Sequence, residues 1–183
     1  MHETLFSVYT QTSKVYLQIH LLFRLEGYPL RYVLRVTADN CAGCRSCEMA
    51  CAFNHYHECN PARARIHILK DDEGLIMPVV CKQCLHPQCA KVCPTGAISR
   101  QLENGAVEIN ESLCIGCGAC IEVCPFGSMF VDAKTSKPVK CDLCQGSPKC
   151  VEVCPKGAIS YIRLDTLPKL RMQEASKKRE KHE

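Results

Sequence analysis

The chain has 183 residues, enough for one domain or two small ones, with a hydrophobic content of 46% and a charged content of 23%. Its 17 cysteines inflate the hydrophobic figure, and aromatic residues make up only 6%, so the apolar core is thin and disulfides or metal–thiolate bonds must help to hold the fold. A formal net charge of +4 is weak grounds for nucleic-acid binding, and we predict none.

Residues 1–32 form an N-terminal extension of uncertain order. The stretch from Val15 to Val36 leans apolar, but Gln18, His20, Arg24, Glu26 and Arg31 interrupt it. No uninterrupted apolar run has the length of a membrane span, and no export signal is recognisable. We therefore predict a cytoplasmic chain without a membrane span of its own, although a partner carrying a signal could export it. The extension is either a docking helix for a partner or a segment that the fold does not need.

Sixteen cysteines fall into four groups of four. The first quartet is Cys41, Cys44, Cys47 and Cys51; the second is Cys81, Cys84, Cys89 and Cys93; the third is Cys114, Cys117, Cys120 and Cys124; the fourth is Cys141, Cys144, Cys150 and Cys154. Because cytoplasmic thiols stay reduced, such clustered cysteines indicate metal ligands rather than disulfides. Cys59 lies outside the quartets, and we interpret it as a free structural cysteine.

Between the quartets the sequence predicts short strands. One strand begins near Val33 and leads into the first quartet. Residues 64–69 and 75–80 flank Asp71-Asp72-Glu73-Gly74, and residues 97–101 and 106–109 flank Asn104-Gly105, so each pair predicts a hairpin. Within each quartet we expect one helical turn between the third and fourth cysteines. Residues 164–183 form a charged tail that is either a frayed helix or disordered.

The chain also contains an internal repeat. Residues 92–99 match residues 153–160 at seven of eight positions, and residues 123–130 are a looser third copy. In all three, proline follows the fourth cysteine of a quartet, whereas Ala52 follows Cys51. The repetition indicates duplication of a small unit.

The spacing favours [4Fe–4S] clusters over zinc. The first and third quartets read C-x2-C-x2-C-x3-C, and in the bacterial-type run ending in C-P the fourth cysteine ligates the other cluster of a pair. The second and fourth quartets carry longer middle loops that contain Pro87 and Pro148. Zinc sites also use C-x2-C pairs, but as two pairs separated by a long spacer and with no rule that proline follows the fourth cysteine, whereas a cysteine triplet followed by C-P occurs three times here. A zinc-binding interaction module stays as the remote alternative.

No enzymatic site is recognisable. All four quartets are complete, so no iron would be left open for substrate, and no glycine-rich nucleotide loop is present. His55, His57, His67 and His86 suit loop polarity or hydrogen bonds better than ligation. Arg63 and Arg65 either contact a partner or neutralise cluster charge, and the second is favoured.

The quartets, their order and their two stretched loops resemble the four-cluster ferredoxin-like electron-transfer subunits of multi-component oxidoreductases. The resemblance covers residues 33–163 and implies an α+β fold: duplicated bacterial-ferredoxin-like modules with short hairpins and helical turns around four [4Fe–4S] clusters. The segments 44–51 and 60–66 look most like the small subunits that accompany tungsten or molybdenum aldehyde oxidoreductases.

The resemblance also implies ligands shared between quartets one and four and between quartets two and three. The four ligand sets would be Cys41, Cys44, Cys47 and Cys154; Cys141, Cys144, Cys150 and Cys51; Cys81, Cys84, Cys89 and Cys124; and Cys114, Cys117, Cys120 and Cys93. The two modules would then be interlocked.

The resemblance implies an electron-transfer subunit rather than an enzyme. Its partner would be a catalytic subunit, of the tungsten- or molybdenum-pterin type by preference, with hydrogenase, formate dehydrogenase and carbon monoxide dehydrogenase as further possibilities. A second redox subunit or a ferredoxin would be the other electron partner. A free polyferredoxin shuttle is the alternative.

Overall fold

A computed structural model describes residues 31–180, with side chains to residue 173. The predicted extension therefore lies outside the described residues, apart from its last two. Within the described part, eight strands pair into four separate two-stranded antiparallel sheets. The strands are β1 Tyr32–Val36, β2 Ile66–Lys70, β3 Ile76–Val80, β4 Ile98–Arg100, β5 Val107–Ile109, β6 Phe130–Val131, β7 Pro138–Val139 and β8 Ile159–Arg163.

The helices in the described residues are mostly single turns. They are α1 Ser46–Tyr56, α2 Gln88–Lys91, α3 Ala119–Glu122, α4 Lys149–Glu152 and α5 Leu167–Glu180. Short 3-10 turns cover Ala38–Asn40, Pro61–Arg63, Leu143–Gly146 and Leu164–Thr166. The mixture of helices with small antiparallel pairs confirms the α+β class, and α5 makes most of the charged tail helical.

The expected helical turn between the third and fourth cysteines is present in all four quartets, but in the first it is part of a longer helix. Each of α2, α3 and α4 contains the third cysteine of its quartet and ends just before the fourth, because the proline that follows disfavours helical backbone at the fourth cysteine. Ala52 imposes no such limit after Cys51. Helix α1 therefore continues past Cys51 to Tyr56 and has 11 residues in all. It ends where His57 takes a left-handed φ of 54°.

Both predicted hairpins are present. In the first, β2 pairs with β3 in the register Ile66↔Val80, and the Asp71 carboxylate accepts a hydrogen bond from the Leu75 N–H at 2.7 Å. In the second, β4 pairs with β5, and the Asn104 side chain accepts from the Ala106 N–H at 2.8 Å. Gly105 follows with a φ of 69°, which explains the preference for glycine in this turn.

The pairing of the first and last strands was not predicted. Strand β1 runs antiparallel to β8 in the register Tyr32↔Arg163, and the Tyr32 and Tyr161 rings stack with centroids 4.7 Å apart. Buried Leu34 and Ile159 tie this sheet to the larger core. The segment entering the first quartet therefore lies beside the segment leaving the fourth.

Two clusters of buried side chains stabilise the described residues, and cysteines belong to both. The larger includes Cys47, Cys51, Cys81, Cys141 and Cys150 among its buried members. The smaller consists of Ile98, Val107, Cys120 and Met129, with further cysteines packed against it. Cysteines that were predicted to be metal ligands are therefore also part of the buried interior.

Buried Gln83 links the second quartet to the fourth. Its side-chain amide donates to the Cys141 carbonyl and accepts from the Val107 N–H, both at 2.8 Å. The equivalent position in the fourth quartet is Leu143, and both residues have positive φ. Each also points its N–H at the sulfur two residues earlier, at 3.4 Å from Cys81 Sγ and from Cys141 Sγ respectively. The two stretched quartets therefore begin with the same backbone turn.

Candidate iron–sulfur sites

All 17 cysteines are free thiols, and none is joined in a disulfide. Twelve of them line three cavities, each of which brings together cysteines of two sequence quartets.

The first cavity combines the first and fourth quartets. Its lining includes Cys41, Cys44, Cys47 and Cys154. The β1–β8 sheet brings the two segments together, and the Thr37 N–H donates to the Ala158 carbonyl at 2.8 Å just beyond the strand ends. Cys154 therefore faces the first quartet rather than the rest of its own.

The second cavity repeats this arrangement with the third and second quartets. Its lining includes Cys114, Cys117, Cys120 and Cys93. Here the Asn110 N–H donates to the Ala97 carbonyl at 2.7 Å. Asn110 precedes Cys114 as Thr37 precedes Cys41, and Ala97 follows Cys93 as Ala158 follows Cys154. The same backbone bond therefore positions the cysteine contributed from the other quartet in both places.

The third cavity is lined by Cys81, Cys84, Cys89 and Cys124, so the second quartet receives a cysteine from the third. Lys82, His86 and Lys140 contribute to the same wall. His86 is exposed and lies beside the cysteine set without replacing any member of it.

Of the remaining four quartet cysteines, Cys51, Cys141 and Cys150 belong to the same buried cluster, and helices α1 and α4 pack against each other. The Cys150 thiol is deeply buried and interacts electrostatically with Cys51 and Cys144, which also interact with each other. Cys141 interacts with Cys150 in the same way. Cys51 of the first quartet therefore lies near Cys144 and Cys150 of the fourth, and Cys47 also interacts with Cys150.

The surroundings of these sulfurs suit metal-bound thiolates. Burial, assisted by the nearby Glu48 charge, raises the pKa of Cys47 to about 12, and burial raises the pKa values of Cys120 and Cys144 to about 11. Without a metal these thiols would stay protonated, whereas bound iron supplies the positive charge that stabilises a buried thiolate.

Backbone N–H groups add to this fit. The Arg65 N–H lies 3.2 Å from Cys51 Sγ, and the Ala158 N–H lies 3.3 Å from Cys154 Sγ. Together with the Gln83 and Leu143 amides, these groups donate to sulfur, as hydrogen bonds to cluster ligands do. An all-cysteine donor set with such amides matches [4Fe–4S] ligation.

A charged network surrounds Cys51. Asp142 accepts from the Arg65 guanidinium at 2.6 Å and lies 3.1 Å from His55 Nε2, while His55 Nδ1 lies 2.8 Å from the Cys51 carbonyl oxygen. Burial opposes a charge on His55, but the hydrogen bonds with Asp142 and Cys51, together with the Asp142 charge, outweigh it and raise the His55 pKa to about 10. His55 therefore acts through hydrogen bonds, one of the two roles expected for it.

A family model for a 4Fe–4S dicluster domain matches residues 72–163, half of the chain. The chain belongs to this 4Fe–4S dicluster family. A second model, for a 4Fe–4S binding domain, matches residues 38–54, which contain the first quartet.

Curated relatives agree with membership of the dicluster family. The polyferredoxin-like subunit of aliphatic sulfonate oxidoreductase from Pyrococcus furiosus is 38% identical over 112 residues, covering 61% of this chain and 65% of the relative. The putative electron transport protein YsaA of Escherichia coli is 40% identical over 114 residues, covering 57% of this chain and 71% of the relative.

Among solved structures, a chain of the active site complex BamBC of benzoyl coenzyme A reductase is similar at 26% identity. It matches over 72% of this chain and 76% of its own length, with a TM-score of 0.44.

The P. furiosus relative is matched over less than two thirds of its length. The dicluster family identifies the chain as an iron–sulfur protein, and the E. coli relative is named as a putative electron transport protein.

Several groups around the dicluster-family cysteines carry no sequence signal. Asp142 lies 87 residues from His55, and Gln83 lies 58 residues from Cys141, so only the folded chain pairs them. Exposed Cys59 lines none of the three cavities, in keeping with its interpretation as a free thiol. None of the helices in residues 31–180 combines the length and apolar character that crossing a bilayer requires.

Proposed function

We propose that the chain is an electron-transfer subunit that relays single electrons through four [4Fe–4S] clusters held in two interlocked pairs. The ligand sets would be those implied by the sequence resemblance, with residues 33–163 as the cluster-binding domain. The observation that carries the proposal is the exchange of fourth cysteines: three cavities each gather three cysteines of one quartet and one of another. The interactions of Cys150 with Cys51 and Cys144 support the same exchange for the remaining set.

The protein's own contribution is to bury the sulfurs and surround them with amides and charges. When bound, each cluster supplies one-electron chemistry. The lining of the third quartet's cavity contains no charged side chain, whereas Arg45 and Lys156 line the first quartet's cavity. Different surroundings would give the clusters different reduction potentials, because positive charge favours the reduced, more anionic form.

We further propose that the electron partner is the catalytic subunit of a multi-component oxidoreductase, with tungsten- or molybdenum-pterin enzymes favoured. The naming of the P. furiosus relative as a subunit of an oxidoreductase supports a partner of this general kind. Cysteines that form no disulfides are typical of proteins in the reducing cytoplasm, which we propose as the location of the chain. A second redox subunit or a ferredoxin would complete the path.

Anaerobic purification of the tagged chain from its own cells, at native expression level, tests the proposal. We expect a larger subunit to co-elute in fixed stoichiometry on size exclusion, and metal analysis of the complex to find tungsten or molybdenum beside iron. A monomer that carries iron and sulfide and exchanges electrons without a bound subunit would contradict the subunit assignment and support the polyferredoxin shuttle.

A further inference from the structure

Lys140 is a lysine buried at the junction of the two proposed cluster pairs. It directly follows β7 and precedes Cys141, and its side chain is only 3% exposed. It lines the cavity of the second quartet, beside Cys84, Cys89 and Cys124. Lys140 thus reaches one cluster set with its side chain and adjoins the other through its backbone.

The ammonium group has no ion pair among residues 31–173. It donates to the Val107 carbonyl and, at 2.8 Å, to the Cys141 carbonyl. Glu108 interacts with it electrostatically but forms none of the ion pairs found in this part of the chain. Lys140 is therefore a buried cation that is hydrogen-bonded only to neutral groups.

A buried ammonium needs compensation, because removing an ion from water costs several kcal/mol even in real proteins. Besides Glu108, the groups that interact with its charge are the cysteines around it, Cys84 and Cys89 in one set and Cys141 in the other. As metal-bound thiolates around an anionic cluster, these sets would supply the missing negative charge.

We infer that the charge of Lys140 raises the reduction potentials of the clusters of the second and fourth quartets, between which it lies. This inference rests on the proposed function. These two cysteine sets belong to different interlocked pairs, and both Lys140 and Gln83 contact the two of them, so Lys140 would set the step at which electrons cross between the pairs. A fixed positive charge favours the reduced cluster, and burial leaves that effect unscreened by solvent.

The test compares Lys140→Met with Lys82→Met in the anaerobically purified holoprotein. Lys82 lines the same cavity but is exposed, so the control removes the same charge at a solvated position. In potentiometric titrations followed by EPR, we expect Lys140→Met to lower the reduced-to-oxidised ratio of two clusters about tenfold at fixed potential, or about 59 mV each. The other two clusters and all clusters of Lys82→Met should shift much less.

Equal potentials in Lys140→Met and Lys82→Met, or an equal shift of all four clusters, would overturn the inference. If Lys140→Met fails to hold clusters, Lys140→Gln and Lys140→Arg decide. If Lys140→Arg keeps its clusters and Lys140→Gln loses them, the positive charge is required and the inference is supported. If both variants lose their clusters, the shape of the lysine side chain alone matters and the inference is overturned. If both retain clusters, equal potentials in the two would overturn it. A wild-type chain without iron and sulfide would instead refute the proposed function itself.

Discussion

Replacing Cys51 with serine is expected to alter the cluster of the fourth quartet and to leave the cluster of the first quartet intact. Cys51 is the last cysteine of the first quartet in sequence, but it lies near Cys144 and Cys150 of the fourth quartet. The site would lose one of its four thiolates, so bound iron should fall by up to about a quarter. EPR of the reduced variant, together with iron analysis, measures both effects.

Two further variants assign the signals. Cys44→Ser removes a ligand at the exposed edge of the first cavity and so identifies the signal of the first quartet's cluster. Cys59→Ser is the matched control, because Cys59 lies outside all the sets and its loss should change neither iron content nor spectrum. If Cys51→Ser and Cys44→Ser altered the same signal, the exchange of fourth cysteines would be wrong.

Removing iron is expected to abolish the cooperative fold. Cysteines contribute five of the thirteen buried residues of the larger core in the described chain, and the strands are at most five residues long. Without metal, the protonated thiols no longer cross-link distant quartets, and too little apolar surface remains to replace those bonds. Far-UV circular dichroism before and after anaerobic chelation, with a thermal melt of each sample, should show the loss of the unfolding transition.

The control for this experiment is the same protein carried through the procedure without chelator. Incubation of the apoprotein with ferrous iron and sulfide should restore both the spectrum and the transition, which separates metal loss from irreversible damage. An apoprotein that keeps its spectrum and still melts cooperatively would contradict the role of the clusters as scaffold.

Local chemistry made much of the fold predictable from sequence. Asp71 to Gly74 and Asn104-Gly105 specify their hairpins through side-chain and backbone preferences that act within a few residues. The C-P pairs end three single-turn helices for the same local reason. The first quartet differs because Ala52, in place of proline, lets α1 continue past the fourth cysteine.

The remaining features depend on contacts between distant segments. The pairing of β1 with β8 joins residues near the two ends of the described chain, and no local pattern names a strand's partner. The charge network of His55, Arg65 and Asp142 and the burial of Lys140 also arise only when separate quartets meet. Cysteine spacing identified the candidate ligands, whereas the groups expected to tune the clusters became visible only in the fold.

The proposed function requires four [4Fe–4S] clusters in one chain, and chemical analysis of the anaerobically purified protein tests this most directly. Iron and acid-labile sulfide, each measured against protein determined by amino-acid analysis, should both approach about sixteen per chain. About eight of each would mean two clusters and contradict the interlocked pairs. Zinc in place of iron, with no sulfide, would contradict the assignment as a whole.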